Sequence, residues 1–259
     1  MKSSKNWRQF LSQSDVIFNG HNKQRRGWKK PYDAIFTHLI PEAITEIGIG
    51  NAASHKCWLA TFSDIPIIGI ERVPLFIGGC VDEFSDIVVR QLHEAQKGLG
   101  ELHQQYKISD IKRLNLHYNR DGYSEQTVNE YLDAYGTQDI VINDGLQNGF
   151  SHIQFLEQWK RVLKNPRSLL IQERMLRNQD YSNTPEAVRP MKWFRMAIDD
   201  GWLIYDCRDQ VEFVHHEGAH FEEGLFGIWT QDKDYWKDKL SHIDLVDNET
   251  YYQKVIDRE

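Results

Sequence analysis

Cysteine is scarce in this chain. Only Cys57, Cys80 and Cys207 occur among 259 residues, too few and too scattered for a disulfide framework or a cysteine-built zinc site. A reducing compartment is the expectation. No apolar run approaches the length of about 20 residues that crosses a bilayer, and residues 1–13 are polar where a signal peptide would carry its apolar core. Both absences point to a cytoplasmic protein with no membrane partner. Internal repeats and low-complexity tracts are missing too, which excludes a solenoid. Positive charge is in deficit, with 31 Lys and Arg against 38 Asp and Glu and a formal charge of −7. The field of the whole molecule therefore argues against nucleic acid and against anionic membrane surfaces. The short basic run Lys23, Arg25, Arg26, Lys29, Lys30 departs from this and reads as a solvated surface stretch.

What is present is an ordinary globular balance, 40% hydrophobic and 27% charged, enough for a substantial core. Short apolar runs at 43–47, 65–70, 111–116, 140–142, 168–171, 203–205 and 225–230 read as strands. Between them apolar residues recur at helical spacing. Ala53, Cys57 and Ala60 form one such set; Ile87, Val88, Leu92, Ala95, Leu99 and Leu102 form a longer one. Val128, Leu132 and Tyr135 follow, then Ile153, Leu156, Trp159 and Leu163, and a last set lies in 191–200. This alternation predicts an α/β fold with a parallel sheet covered by helices on both faces. The expected organisation is one domain over 41–232, an N-terminal extension over 1–40 whose residues 25–36 form a lid, and a helical tail over 233–259.

The segment Glu46-Ile47-Gly48-Ile49-Gly50-Asn51-Ala52-Ala53 is the most informative. A strand that turns at once into a helix while a ligand lies against its backbone needs small residues at the turn. Glu71 closes the next apolar run about twenty residues on, where a carboxylate accepts hydrogen bonds from both ribose hydroxyls of a nucleoside. Gly48, Gly50 and Ala53 also satisfy the dinucleotide pattern, in which a pyrophosphate sits on the helix N-terminus.

Glu46-x-Gly48-x-Gly50-x-Ala52 resembles motif I of the class I S-adenosylmethionine-dependent methyltransferases, an acid followed by alternating glycines, with Ala52 in place of the third glycine. The resemblance runs over roughly 43–173. It implies a three-layer Rossmann-like sandwich, mostly parallel, of about seven strands with a late antiparallel strand. It also implies S-adenosyl-L-methionine as cofactor: Glu46 and the backbone of Gly48, Gly50 and Ala52 would serve its amino-acid half, Glu71 its ribose and Asp121 its adenine ring. A pyrophosphate would not tolerate Glu46 so near.

The run Asp139-Ile140-Val141-Ile142-Asn143-Asp144-Gly145 is similar to the family's fourth strand, whose polar end stands beside the methyl group. The resemblance makes Asn143 a cofactor contact. A metal-assisted O-methyltransferase subgroup carries paired acids and then glycine here, and Asn143 replaces the first acid. Asp144 is accordingly a candidate ligand for Mg, a general base for the acceptor, or a turn-capping residue. His152 is a second candidate base or acceptor contact, against the plainer reading of a capping or surface histidine. The family's DNA amino-methyltransferase signature is absent after this strand, so the expected acceptor is a small molecule or another non-DNA group methylated on oxygen or nitrogen.

Two rival readings stand beside this one. The fold could be kept by a binding or scaffold protein without transfer activity. Alternatively, His216-Glu217-Gly218-Ala219-His220 matches H-E-x-x-H, which on a helix gathers zinc for hydrolysis. Gly218 weakens that helix, and the acidic flanks Glu212, Glu222 and Glu223 fit an exposed polar loop better.

Overall fold

The structure, a computed structural model, describes residues 27–49, 54–55, 58, 61–62, 64–72, 113–146, 149–175, 190–210 and 224–246. Its strands are short and rich in Ile, Leu and Val: β1 (Ile44–Ile47), β2 (Ile67–Glu71), β3 (Leu114–Tyr118), β4 (Ile140–Asn143), β5 (Leu169–Glu173), β6 (Leu203–Asp206), β7 (Leu225–Trp229) and β8 (Asp244–Leu245). They form one sheet in the order β3-β2-β1-β4-β5-β7-β6-β8. The first five strands run parallel to one another, whereas β7 runs antiparallel to both β5 and β6. The late antiparallel strand implied by the resemblance is therefore present. β8 adds an edge strand against β6, which at two residues is too short to leave a period in the sequence.

β1, β4 and β5 are buried at every position, as parallel strands covered on both faces must be. Alternate side chains divide between two cores. Ile44, Ile67, Ile142 and Ile171 meet α1 (Lys29–His38), Trp58 and Phe62 on one face. Ile47, Ile68, Val141 and Leu170 meet α2 (Glu125–Tyr135) and α3 (Gly149–Trp159) on the other. Two further helices, α4 (Pro190–Asp199) and α5 (Lys233–Lys239), flank the late strands. Ala197 of α4 joins the second core, and Trp236 of α5 joins the first.

Two details depart from the reading of the sequence. The third strand begins later than the expected 111–116, because Arg113 donates to the carbonyls of Phe62 and Ile65 at 2.7 and 2.8 Å and so sets Leu114 opposite Ile67. The N-terminal extension, in which a lid over 25–36 is expected, carries a helix with Trp28 at its N-cap and with Tyr32, Ile35 and Phe36 buried on one helical face. Pro31 stands in its first turn, where its missing N–H costs no helical bond. The expected helix over 84–102, Gly50, Ala52 and the His216 to His220 motif lie outside the described residues. No helix among the described residues is long and apolar enough to cross a membrane.

The strand order places a topological switch at β1. From β1 the chain builds outward through β2 to β3, then returns to β4 on the other side of β1 and continues to β5. The β1–β2 connection covers one face with Trp58 and Phe62 and the β4–β5 connection the other with α3, so a crevice opens beyond the carboxyl ends of β1 and β4, the usual ligand position in such sheets.

Candidate functional site

Four strands deliver acids to this crevice. Glu46 is the third residue of β1, Glu71 the last of β2, Asp144 follows β4, and Glu173 ends β5. Carboxylate oxygens of Glu46, Asp144 and Glu173 lie within 4.8 Å of one another. Glu46 and Glu173 are fully buried. At that separation each pair of ionised groups repels by about 3 kcal/mol at an effective dielectric near 20, so the arrangement persists only with strong donors or cations around it.

Those donors come from both the first helix and the segment after β1. The two oxygens of Glu46 accept from Ser54 Oγ at 2.7 Å and from Trp58 Nε1 at 2.5 Å. Ser54 and Trp58 have helical backbone, four residues apart and hence on one face. Tyr32, from α1, donates its hydroxyl to Glu173 Oε1 at 2.5 Å. Burial pushes the Tyr32 phenol well above its ordinary value, and the charges of Glu173, Glu46 and Asp144 push it further the same way. It stays protonated and remains a donor. Arg174 donates to Asp144 Oδ1 at 3.0 Å, with 9% of its side chain exposed. Its guanidinium also lies over the Trp28 ring, 5.8 Å from the centroid.

Gly48 is bound into the same strand ends. Its φ is +95°, and a Cβ built on it would stand 2.6 Å from the Asp144 carbonyl oxygen and 2.8 Å from the Gly145 nitrogen. The sequence suggested that a ligand lies against this glycine. The structure shows a second demand on it: the space a side chain would need is taken by the protein's own backbone, because Asp144 N–H donates to the Ile47 carbonyl at 2.9 Å and draws the β4 loop onto β1. Glu71 reaches the turn from β2 and accepts the Ile49 N–H at 3.0 Å. The acid thus stands half-buried beside the glycine turn.

The other expected contacts sort differently. Asn143 is turned into the opposite face, where it accepts from the Tyr123 hydroxyl at 2.8 Å and donates to Gln172 Oε1 at 2.7 Å. The Gly145 N–H also donates to it, at 3.2 Å. Its amide ties β4 to β5 and to the turn before α2, away from the acids. Asp121 accepts the Tyr123 N–H at 3.1 Å through its side chain, and its carbonyl accepts from Ser124. Ser124 in turn caps α2 by accepting the Thr127 N–H. His152 is buried on the inner side of α3, and burial lowers its pKa to about 3. An imidazole of that basicity is neutral near pH 7 and a poor proton acceptor there.

Glu173 and Arg174 are absent from the residues that the sequence singled out, and Tyr32 enters there only as a residue of the expected lid over 25–36. Glu173 had a readable signal, an acid at the end of an apolar strand beside the one carrying Asp144. The contact of Tyr32 with Glu173 had none, since only the packing of α1 brings residue 32 to the end of β5.

No family model matches the chain, and no curated protein matches it in sequence. Among solved structures, it is similar to a Klebsiella pneumoniae protein assigned as an O-methyltransferase, at 12% identity over 89% of this chain and 90% of that one with a TM-score of 0.49. It is also similar to the Bacillus cereus O-methyltransferase in complex with SAH, at 12% identity over 88% and 90% with a TM-score of 0.47. A third is MycE, from mycinamycin biosynthesis, in complex with Mg, SAH and mycinamycin VI. There the identity is 14%, the match covers 89% of this chain and 56% of that one, and the TM-score is 0.46.

Proposed function

We propose that this protein binds S-adenosylmethionine and transfers its methyl group to a small-molecule or other non-DNA acceptor. The observation that carries the reading is the meeting of Glu46, Asp144 and Glu173 at the switch point of the sheet. A ligand seated there faces concentrated negative charge, which favours a cationic ligand and repels a pyrophosphate. The rival dinucleotide reading is disfavoured on that ground. The residues fit the cofactor: Glu46 suits an ammonium group, and Glu71 beside the Gly48 turn suits a ribose. The backbone of Gly50 and Ala52 would complete the cradle, and Asp121, held in its turn, would border the adenine.

When bound, the cofactor supplies an electrophilic methyl group. The chain's own part is to place an acceptor in line with it and to receive the acceptor's proton. We assign the second task to Asp144, which lies at the crevice with 21% of its side chain exposed and is oriented by Arg174. Asn143 and His152 act through the fold, the first by fixing the loop that carries Asp144 and the second as a neutral side chain within the core. Magnesium prefers carboxylate oxygens of this kind, but the three acids already hold protein donors and an arginine, and no step is assigned to a metal.

Calorimetry with S-adenosylmethionine, S-adenosylhomocysteine and NAD tests the reading. Binding of the two methionine nucleosides and not of NAD is the expected result. Tight NAD binding with no response to either nucleoside would reverse the assignment.

A further inference from the structure

Three neighbouring carboxylates, one of them bonded by a guanidinium, form the chemistry by which a divalent cation is held or replaced. We propose that Arg174 is the resident cation of the Glu46, Asp144 and Glu173 group and keeps divalent metals out, so that this site is metal-free by construction. Four observations converge on this. Arg174 bonds Asp144 at 3.0 Å from a side chain with only 9% of its surface exposed, so its charge is held against one member of the group from a nearly buried position. Its position is stabilised from the other side by the Trp28 ring. Its backbone has φ +56°, a left-handed conformation that a residue with a long side chain keeps only where the surroundings impose it. Finally, Asn143 serves the opposite face through Tyr123 and Gln172 and brings no oxygen to the acids.

A magnesium ion needs near-ideal octahedral geometry and several oxygens free to turn toward it. Here both oxygens of Glu46 are engaged by Ser54 and Trp58, and Glu173 is held by Tyr32. A metal bound directly would need these oxygens turned from their donors and Arg174 displaced from Asp144, whereas an ammonium needs only a remaining lone pair of a carboxylate oxygen. The proposal concerns the acids and their arginine, and it stands or falls independently of which ligand the crevice binds.

The test is a titration of the full chain, stripped with EDTA, with Mn2+ followed by electron paramagnetic resonance. The wild-type protein is expected to leave micromolar Mn2+ free. Arg174→Gln, shown by circular dichroism to be folded, is expected to take up stoichiometric Mn2+ and to lose it again when Glu173→Gln is added. Stoichiometric Mn2+ on the wild-type protein, lost on Asp144→Asn, would overturn the proposal. So would a folded Arg174→Gln that takes up none, since the guanidinium would then not be what excludes the metal. If Arg174→Gln does not fold, the wild-type titration decides alone.

Discussion

Gly48 shows how one residue type is demanded by two constraints at once. Its φ of +95° is open to glycine and strained for any L side chain, and the Cβ position is filled by the Asp144 and Gly145 backbone. Gly136, at the end of α2, shares the positive φ, +69°, but has nothing within 4 Å of a Cβ. The pair separates strain from collision. Gly136→Ala is expected to cost about 1–3 kcal/mol, because φ +69° with ψ −160° is a conformation essentially open only to glycine. Gly48→Ala is expected to cost more than Gly136→Ala, because strain is joined by displacement of the β4 loop. Urea unfolding of the two variants checks this, and equal losses would show that the contact with Asp144 is unimportant. A lower affinity for S-adenosylhomocysteine in the folded fraction of Gly48→Ala would follow from the moved acid.

The helix α3 carries a titratable group in its buried stripe. Ser151, His152, Phe155, Leu156 and Trp159 are buried at the spacing of one helical face, so His152 sits where packing and not solvent determines its state. Burial lowers its pKa from 6.5 to about 3. Above pH 6.5 neither the folded nor the unfolded chain holds a proton on it, and its linkage to stability is nil. Between pH 6.5 and about 3 the unfolded chain binds a proton that the fold refuses, so stability falls as pH falls. Going from pH 7 to pH 5 should cost about 2 kcal/mol through this residue alone, at 1.4 kcal/mol per pH unit. His152→Gln removes that component. The difference in unfolding free energy between wild type and variant should therefore change by about that amount between the two pH values. An unchanged difference would place His152 in contact with water and reopen its candidacy as a base.

Across the molecule, α1 joins the acids to the core. One side of it packs Tyr32 and Phe36 against Trp58 and Phe62, and Tyr32 meets the Phe226 ring of β7 edge-on at 5.2 Å. The same Tyr32 ends on Glu173 of β5, and Trp28 at the start of α1 supports Arg174. Strands distant in sequence are thus clamped by a helix that belongs to the N-terminal extension. Tyr32→Phe keeps the ring contacts and removes only the donor to a buried carboxylate. It is expected to lower stability by about 1–3 kcal/mol, seen as a lower urea midpoint with an unchanged m-value. No loss would mean that Glu173 does not depend on Tyr32. In that event the N-terminal segment would contribute apolar packing alone.

The alternation of short apolar runs with helical spacings determined the α/β class, the parallel sheet and most strand positions, because period 2 and period 3.6 are local and survive without the fold. The acid and glycine turn of 46–50, with Glu71 after it, likewise marked the crevice, since a strand-to-helix turn writes its backbone needs into small residues. Tertiary structure decided the rest. It turned Asn143 away from the acids and into a clasp between β4 and β5, a choice of face set by register and invisible in residue type. It buried His152, whose role depends on which side of α3 meets the sheet. It brought Tyr32 and Arg174 to Glu173 and Asp144, contacts that span up to 141 residues of sequence. Side chains that far apart meet only when whole elements pack, so the charge balance of the site belongs to the assembled sheet and α1 together.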